Sequence, residues 1–192
     1  MPSKKTKTPI EPGFTYHIYN RGNNYQEVFF TNQDYQFFLD KFKFYLAAYC
    51  NVYAYALLPN HYHFLLRVND DIPHLSFSKQ FSKCILSYTN AINNRVKRNG
   101  SLFMTYFRRI KVNDEKYLKY LLCYIHTNPS KHKIIDDFRT WKYSSYQAMI
   151  SEKPSSVDRA TVLNWFDGKD NFIAVHHAKF DEDQIKGLIM EE

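Results

Sequence analysis

Leu57-Leu58-Pro59-Asn60-His61-Tyr62-His63-Phe64-Leu65-Leu66 decides how this chain is read. Pro59-Asn60 interrupts two apolar runs with turn-forming residues, so residues 51–58 and the stretch from His61 are predicted to form a β-hairpin. Alternate residues of a strand share a face, which sets His61 and His63 side by side and turns Tyr62 and Phe64 to the other face. Such a pair can hold a metal cation. It can equally be two hydrogen-bonded strand histidines, because a chain with eight His places some two apart by chance.

Upstream, Phe14, Tyr16 and Ile18 alternate with Thr15, His17 and Tyr19 as a first strand, ended by the turn residues of Asn20-Arg21-Gly22-Asn23-Asn24. Asn32 or Asp34 can cap a helix to about Tyr49, with Phe38, Phe42, Tyr45 and Leu46 at helical spacing. Downstream, an apolar stripe of Phe77, Phe81, Cys84, Ile85, Tyr88 and Ile92 marks a second helix, with Gly100 suited to its stop. Residues 107–112 read as a fourth strand, and Asn113 or Asp114 caps a third helix that Pro129 ends. The order is close to a doubled split β-α-β motif. It predicts an α+β, ferredoxin-like or RRM-like antiparallel sheet with helices on one face.

The 192 residues suffice for one core: a basic tail over 1–12, a domain over 13–150, and a small helical C-terminal extension over 151–192, including 184–190, docked on it. Charge is divided along those lines. Residues 1–150 carry +11 and residues 151–192 carry −4, so the basic footprint belongs to the main body and favours a polyanionic partner. Sixteen Tyr and sixteen Phe are an excess of which part must be core, while those beside basic residues also suit stacking on unpaired bases. Cys50, Cys84 and Cys123 form no close pair, and no run is long enough to span a membrane, so a reduced cytoplasmic protein is expected, its tail not a signal peptide.

On the third helix Tyr124 and Asn128 are four residues apart and share a face. If that helix lies against the strand of His61 and His63, two imidazoles and an amide oxygen make a three-ligand site without negative charge, suited to a divalent cation that activates a phosphodiester. Tyr124 would be the covalent nucleophile, with Tyr117 and Tyr120 as competitors on overlapping faces. No G-x-x-x-x-G-K-[ST] phosphate loop is present, which agrees with chemistry that stores its bond energy on the protein.

Asn20-Arg21-Gly22, Pro59-Asn60-His61-Tyr62-His63, Gly100-Ser101-Leu102-Phe103, Tyr124-Ile125-His126-x-Asn128-Pro129 and Trp141-x-x-Ser144-Ser145-Tyr146 occur in an order that resembles the REP-associated tyrosine transposases, of the HUH single-tyrosine group. The resemblance covers roughly 13–150. It implies His61 and His63 as metal ligands with Asn128 as the third, Tyr124 as nucleophile, and magnesium or manganese as cofactor. It further implies cleavage and rejoining of single-stranded DNA at hairpin-forming palindromic repeats, through a 5′-phosphotyrosine, by a homodimer or a monomer. Two positions depart from the family pattern: Ser130-Lys131-His132 stands where a valine and a small residue are usual, and Tyr62 occupies the centre of the histidine motif.

Arg21, Arg98, Arg108, Arg109 and Lys111 are the candidate DNA-binding residues, by their basic charge near element ends. His126 lies on a different helix face from Tyr124 and reads as structural, and the adjacent His176-His177 read as surface. The runner-up function is a catalytically inactive, transposase-derived DNA-binding protein. A zinc hydrolase of small phosphoesters is disfavoured by the lack of carboxylates near the histidines.

Overall fold

In a computed structural model that describes residues 8–178, strands β1 (Thr15–Arg21), β2 (Cys50–Leu58), β3 (His61–Val68) and β4 (Arg108–Lys111) form one antiparallel sheet in the order β2-β3-β1-β4. Helices α1 (Asn32–Leu46), α2 (Ser76–Arg95) and α3 (Glu115–Lys131) complete the ferredoxin-like order, followed by the short helices α4 (Tyr146–Ile150), α5 (Arg159–Trp165) and α6 (Lys169–His177). The predicted α+β class and the two-residue hairpin link hold. Residues 1–7 of the tail and the helix expected over 184–190 lie outside the described residues.

The helices, however, cover both faces of the sheet rather than one. Seven of the eight β3 residues are buried, so neither face of that strand is left to water. One face carries Tyr16, Ile18, Tyr62, Phe64 and Leu66 against Phe38 and Phe42 of α1 and Phe77, Phe81 and Tyr88 of α2, with the Phe42 and Phe64 rings stacked at 4.3 Å. The other face carries Ala54, Ala56, Leu58 and Leu65 against Leu118, Leu121, Leu122 and Ile125 of α3. The α3 cover on the histidine side agrees with the expectation that the helix of Tyr124 lies against the strand of His61 and His63.

Local chemistry fixes the ends of these elements. Thr31 caps α1 in a capping box with Asp34, one residue ahead of the Asn32 expected from sequence. The Asp34 carboxylate accepts the Phe30 and Thr31 N–H groups and pairs with Arg95 of α2 at 2.7 Å, tying the start of one helix to the end of the other. Helix α2 ends at Arg95, with a left-handed residue already at Lys97 (φ 55°), and Gly100 (φ 87°) lies in the loop beyond it. Pro129 does not end α3, which runs on to Lys131: proline removes one N–H but leaves the next turn possible, and His132 N–H still donates to Asn128 O at 3.0 Å.

The hairpin tip is clamped from outside. Val28 and Phe29 N–H both donate to Pro59 O, and Gly22 N–H donates to Asn60 O at 2.7 Å. Gly22 has to be glycine because a Cβ there would lie 1.9 Å from Gln26 O. The open edge of β2 is closed by the chain after α3: Leu57 N–H donates to Tyr143 O, Ser145 N–H to Tyr55 O, Asp158 N–H to Val52 O, and the Trp141 indole N–H to Leu57 O.

Candidate active site

Strand pairing assembles the site before any side chain is considered. In the β1–β3 register Tyr19 faces His63 and Arg21 faces His61, so His17, Tyr19 and Arg21 share the face of the two histidines. Ala56 and Leu58 of β2 flank them on the other side, and the small Ala54 and Ala56 leave room for α3. Helix α3 then brings Tyr124 and Asn128 onto this face, within the same chain. The His61 ring lies 5.2 Å from that of His63, and His63 meets Tyr124 edge-on at 5.9 Å.

Hydrogen bonding shows what these groups can hold. His61 Nδ1 lies 2.6 Å from the Asn60 side-chain oxygen, an acceptor, so Nδ1 carries the proton and Nε2 keeps its lone pair. That lone pair points at Asn128 Oδ1, 3.3 Å away. Two acceptors facing each other repel, unless a cation draws both. His63 Nε2 and Asn128 Nδ2 are buried with no hydrogen-bond partner. Burial, with the neighbouring His132 next, pushes the His61 pKa down to about 4. Burial and then His17 hold that of His63 well below 6.5. The His61 Nε2 lone pair, the neighbouring buried His63 imidazole and an amide oxygen could together serve as donors to a divalent cation. Among the described residues no three His, Cys, Asp or Glu side chains converge on a metal position, and the group that faces His61 Nε2 is the Asn128 amide oxygen.

Around Tyr124, which is 5% exposed, the Lys131 ammonium stands 4.3 Å from the ring centre. His132 packs edge-on against His61 at 4.8 Å. Both residues reach the site because α3 continues past Pro129, and they belong to the Ser130-Lys131-His132 stretch that departs from the family pattern. Tyr117 is 44% exposed. Tyr62 is fully buried on the opposite face.

The five basic candidates separate. Arg21 lies on the site face, over the exposed Tyr25 ring at 3.9 Å and bonded to its hydroxyl at 3.1 Å. Arg108 pairs with Tyr19 in register and shares that face. Arg109 and Lys111 point to the other side of β4, where Arg109 donates to Thr8 O and Lys111 pairs with Glu11 at 3.0 Å. Arg98 donates to Asn93, Gln26 and Ser101 O, and so braces the loop that contains Gly100.

His17, fully buried, was missed from sequence; its Nε2 lies 2.9 Å from His63 Nδ1. Strand alternation had put it on the Tyr19 face, but which strand that face would meet was not readable. The expectation that His176-His177 lie on the surface is wrong for His176, which is 3% exposed. Its Nδ1–H donates to Phe172 O at 2.7 Å, and its Nε2 accepts from His126 Nδ1–H at 2.9 Å. His126 Nε2 in turn accepts the Ser145 hydroxyl at 2.7 Å, and Ser145 accepts Tyr55 N–H at 2.8 Å. Each partner fixes the tautomer of the next, and the chain of bonds ties α6, α3 and β2 together.

A REP-associated tyrosine transposase in complex with a REP hairpin is a solved structure that superposes on this chain with a TM-score of 0.64, covering 82% of this chain and 94% of that one at 16% identity. A Haemophilus influenzae protein provisionally named a REP-associated tyrosine transposase is 30% identical over 102 residues. The chain resembles the REP-associated tyrosine transposases in sequence and in fold. The alignment with the Haemophilus protein takes in 48% of this chain and spans 57% of the length of that relative. No protein-family model matches the chain. Among the described residues no helix is long and apolar enough to cross a membrane.

Proposed function

We propose that the protein is a divalent-metal-dependent endonuclease and strand transferase acting on single-stranded DNA beside hairpin-forming repeats. The observation that carries this reading is Tyr124 and Asn128, one turn apart on α3, packed against His61 and His63 of the same chain. His61, His63 and Asn128 would hold magnesium or manganese, which when bound polarises a phosphate oxygen as a Lewis acid. Asn60 fixes the tautomer and orientation of His61. Tyr124 Oη attacks the scissile phosphorus, the bond to the 3′ oxygen breaks, and the 3′ oxygen leaves as a hydroxyl. The DNA end is then held as a 5′-phosphotyrosine, and attack by a 3′-hydroxyl reverses the step without ATP.

Lys131, beside the nucleophile, and Arg21 and Arg108, on the same face, place positive charge where the phosphate arrives. The exposed Tyr25 ring under Arg21 offers a surface for an unpaired base. The relative solved with a REP hairpin supports a hairpin-bearing substrate.

Incubation with a hairpin-bearing single strand and Mn²⁺ should give a covalent protein–DNA band that Tyr124→Phe abolishes. A band that survives the substitution overturns the assignment. The second reading, an inactive DNA-binding descendant, draws on the slight exposure of Tyr124. It predicts hairpin binding with no band under any metal.

A further inference from the structure

His17 of β1 and His63 of β3 are diagonal neighbours on one face of the sheet, with Nε2 and Nδ1 at 2.9 Å and rings nearly parallel, 16° apart and 5.1 Å between centres. Both are fully buried. One proton lies between two ring nitrogens, and its ownership decides what His63 offers on its far side. If His17 donates, the single proton of neutral His63 must sit on Nε2, the atom buried without a partner, and its lone pair is spent on His17. If His63 donates through Nδ1, His63 Nε2 carries a lone pair towards the space shared with His61 Nε2 and Asn128 Oδ1. Only the second arrangement matches His61, whose Nε2 lone pair is exposed in the same way by Asn60.

The geometry points to His17 as a positioning residue that selects the Nδ1–H tautomer of His63 and thereby opens its Nε2 to a divalent cation. This inference rests on the metal reading above and adds a residue to it. His17 touches neither the cation nor the DNA. Its work is to accept one proton in a dry site, as Asn60 of the hairpin turn does for His61, so the two imidazoles are each held by a different neighbour.

The test measures the tautomer and the affinity separately. Nitrogen-15 imidazole NMR on the metal-free protein should show His63 in the Nδ1–H form. In His17→Phe, which keeps a ring but no acceptor, the proton should move wholly or partly to Nε2. Mn²⁺ titration followed by the loss of the free-ion EPR signal should show affinity falling 10- to 100-fold in His17→Phe. His17→Gln, whose side-chain oxygen can accept the proton, should recover most of it. Circular dichroism and thermal unfolding establish that each variant is folded. An Nε2–H His63 in the unaltered protein, or a folded His17→Phe with unchanged Mn²⁺ affinity, overturns the role of His17. Absence of Mn²⁺ binding by the unaltered protein instead overturns the metal reading beneath it, while the NMR result still reports which residue owns the proton.

Discussion

The two faces of the sheet are built from the same strands and do opposite work. On the face under α1 and α2, β3 contributes Tyr62, Phe64 and Leu66 to an aromatic core in which the Phe38 ring meets Tyr62 at 5.3 Å. On the face under α3 the intervening residues are His61, His63 and Leu65. The first face gains its stability from apolar area, about 1.5–3 kcal/mol for each large side chain buried. The second buries five imidazoles, those of His17, His61, His63, His126 and His176, and pairs their ring nitrogens with one another and with amide or hydroxyl groups; burial holds the last four towards the neutral form. A one-residue slip of β3 would exchange the two sets, so the register that makes the core also makes the site.

The strongest way to break this contrast is a matched pair of substitutions. Phe64→Ala, on the aromatic face, removes a ring that is 1% exposed and should lower the unfolding free energy by about 3–5 kcal/mol, seen in a urea titration. Below its unfolding midpoint it should still form the DNA adduct. Tyr124→Phe removes one hydroxyl from the other face and should change stability by no more than about 1 kcal/mol while losing the adduct. A Phe64→Ala protein of unchanged stability, or one that stays folded yet loses the adduct, would mean that the faces are not divided in this way.

How much of this was legible in the sequence follows the same division. Local signals were sufficient for the hairpin, the helices and the shared face of Tyr124 and Asn128, because spacing alone carries them. The bond between His17 and His63 depends on the pairing of β1 with β3, 46 residues apart, which no local pattern encodes. His176 was misread because two adjacent histidines on a helix look alike until the helix docks, and only one turned inward. Pro129 carries a local helix penalty without ending α3, so sequence pattern alone does not bring Lys131 and His132 to the site.

A pH titration of stability should give the next effect in size. Burial, with His177 beside it, lowers the His176 pKa to about 4, and burial holds that of His126 well below 6.5. Above pH 6.5 both are neutral whether the chain is folded or not, and their contribution is complete. As pH falls below 6.5 the unfolded chain takes up protons that the folded one refuses, so stability declines until the folded pKa is reached. At pH 5 the loss from His176 alone is about 2 kcal/mol. His176→Leu should therefore lose less stability than the unaltered protein between pH 7.5 and pH 5 in urea unfolding. Equal slopes would mean that His176 titrates normally and that α6 is not held by the chain of bonds through His126.

The smallest expected effect lies at the rim of the aromatic face, where a charge is used for structure. Burial raises the Asp34 pKa, but the Arg95 guanidinium and the Phe30 and Thr31 amides outweigh it and hold the carboxyl below its usual range. Its contribution is present at neutral pH and is lost as pH falls through that lowered value. Arg95 is 43% exposed, so solvent screens the pair, and the amide bonds at the start of α1 carry more of the effect than the charge does. Asp34→Asn keeps one acceptor for those amides and should cost about 1 kcal/mol at pH 7, a difference that shrinks at 1 M salt. Adduct formation should be unchanged, because the ion pair joins α1 to α2 and touches nothing on the α3 side. If Asp34→Asn impaired cleavage while leaving stability intact, charge on the aromatic face would be coupled to the histidine face. The sheet would then be transmitting between its two sides rather than keeping them apart.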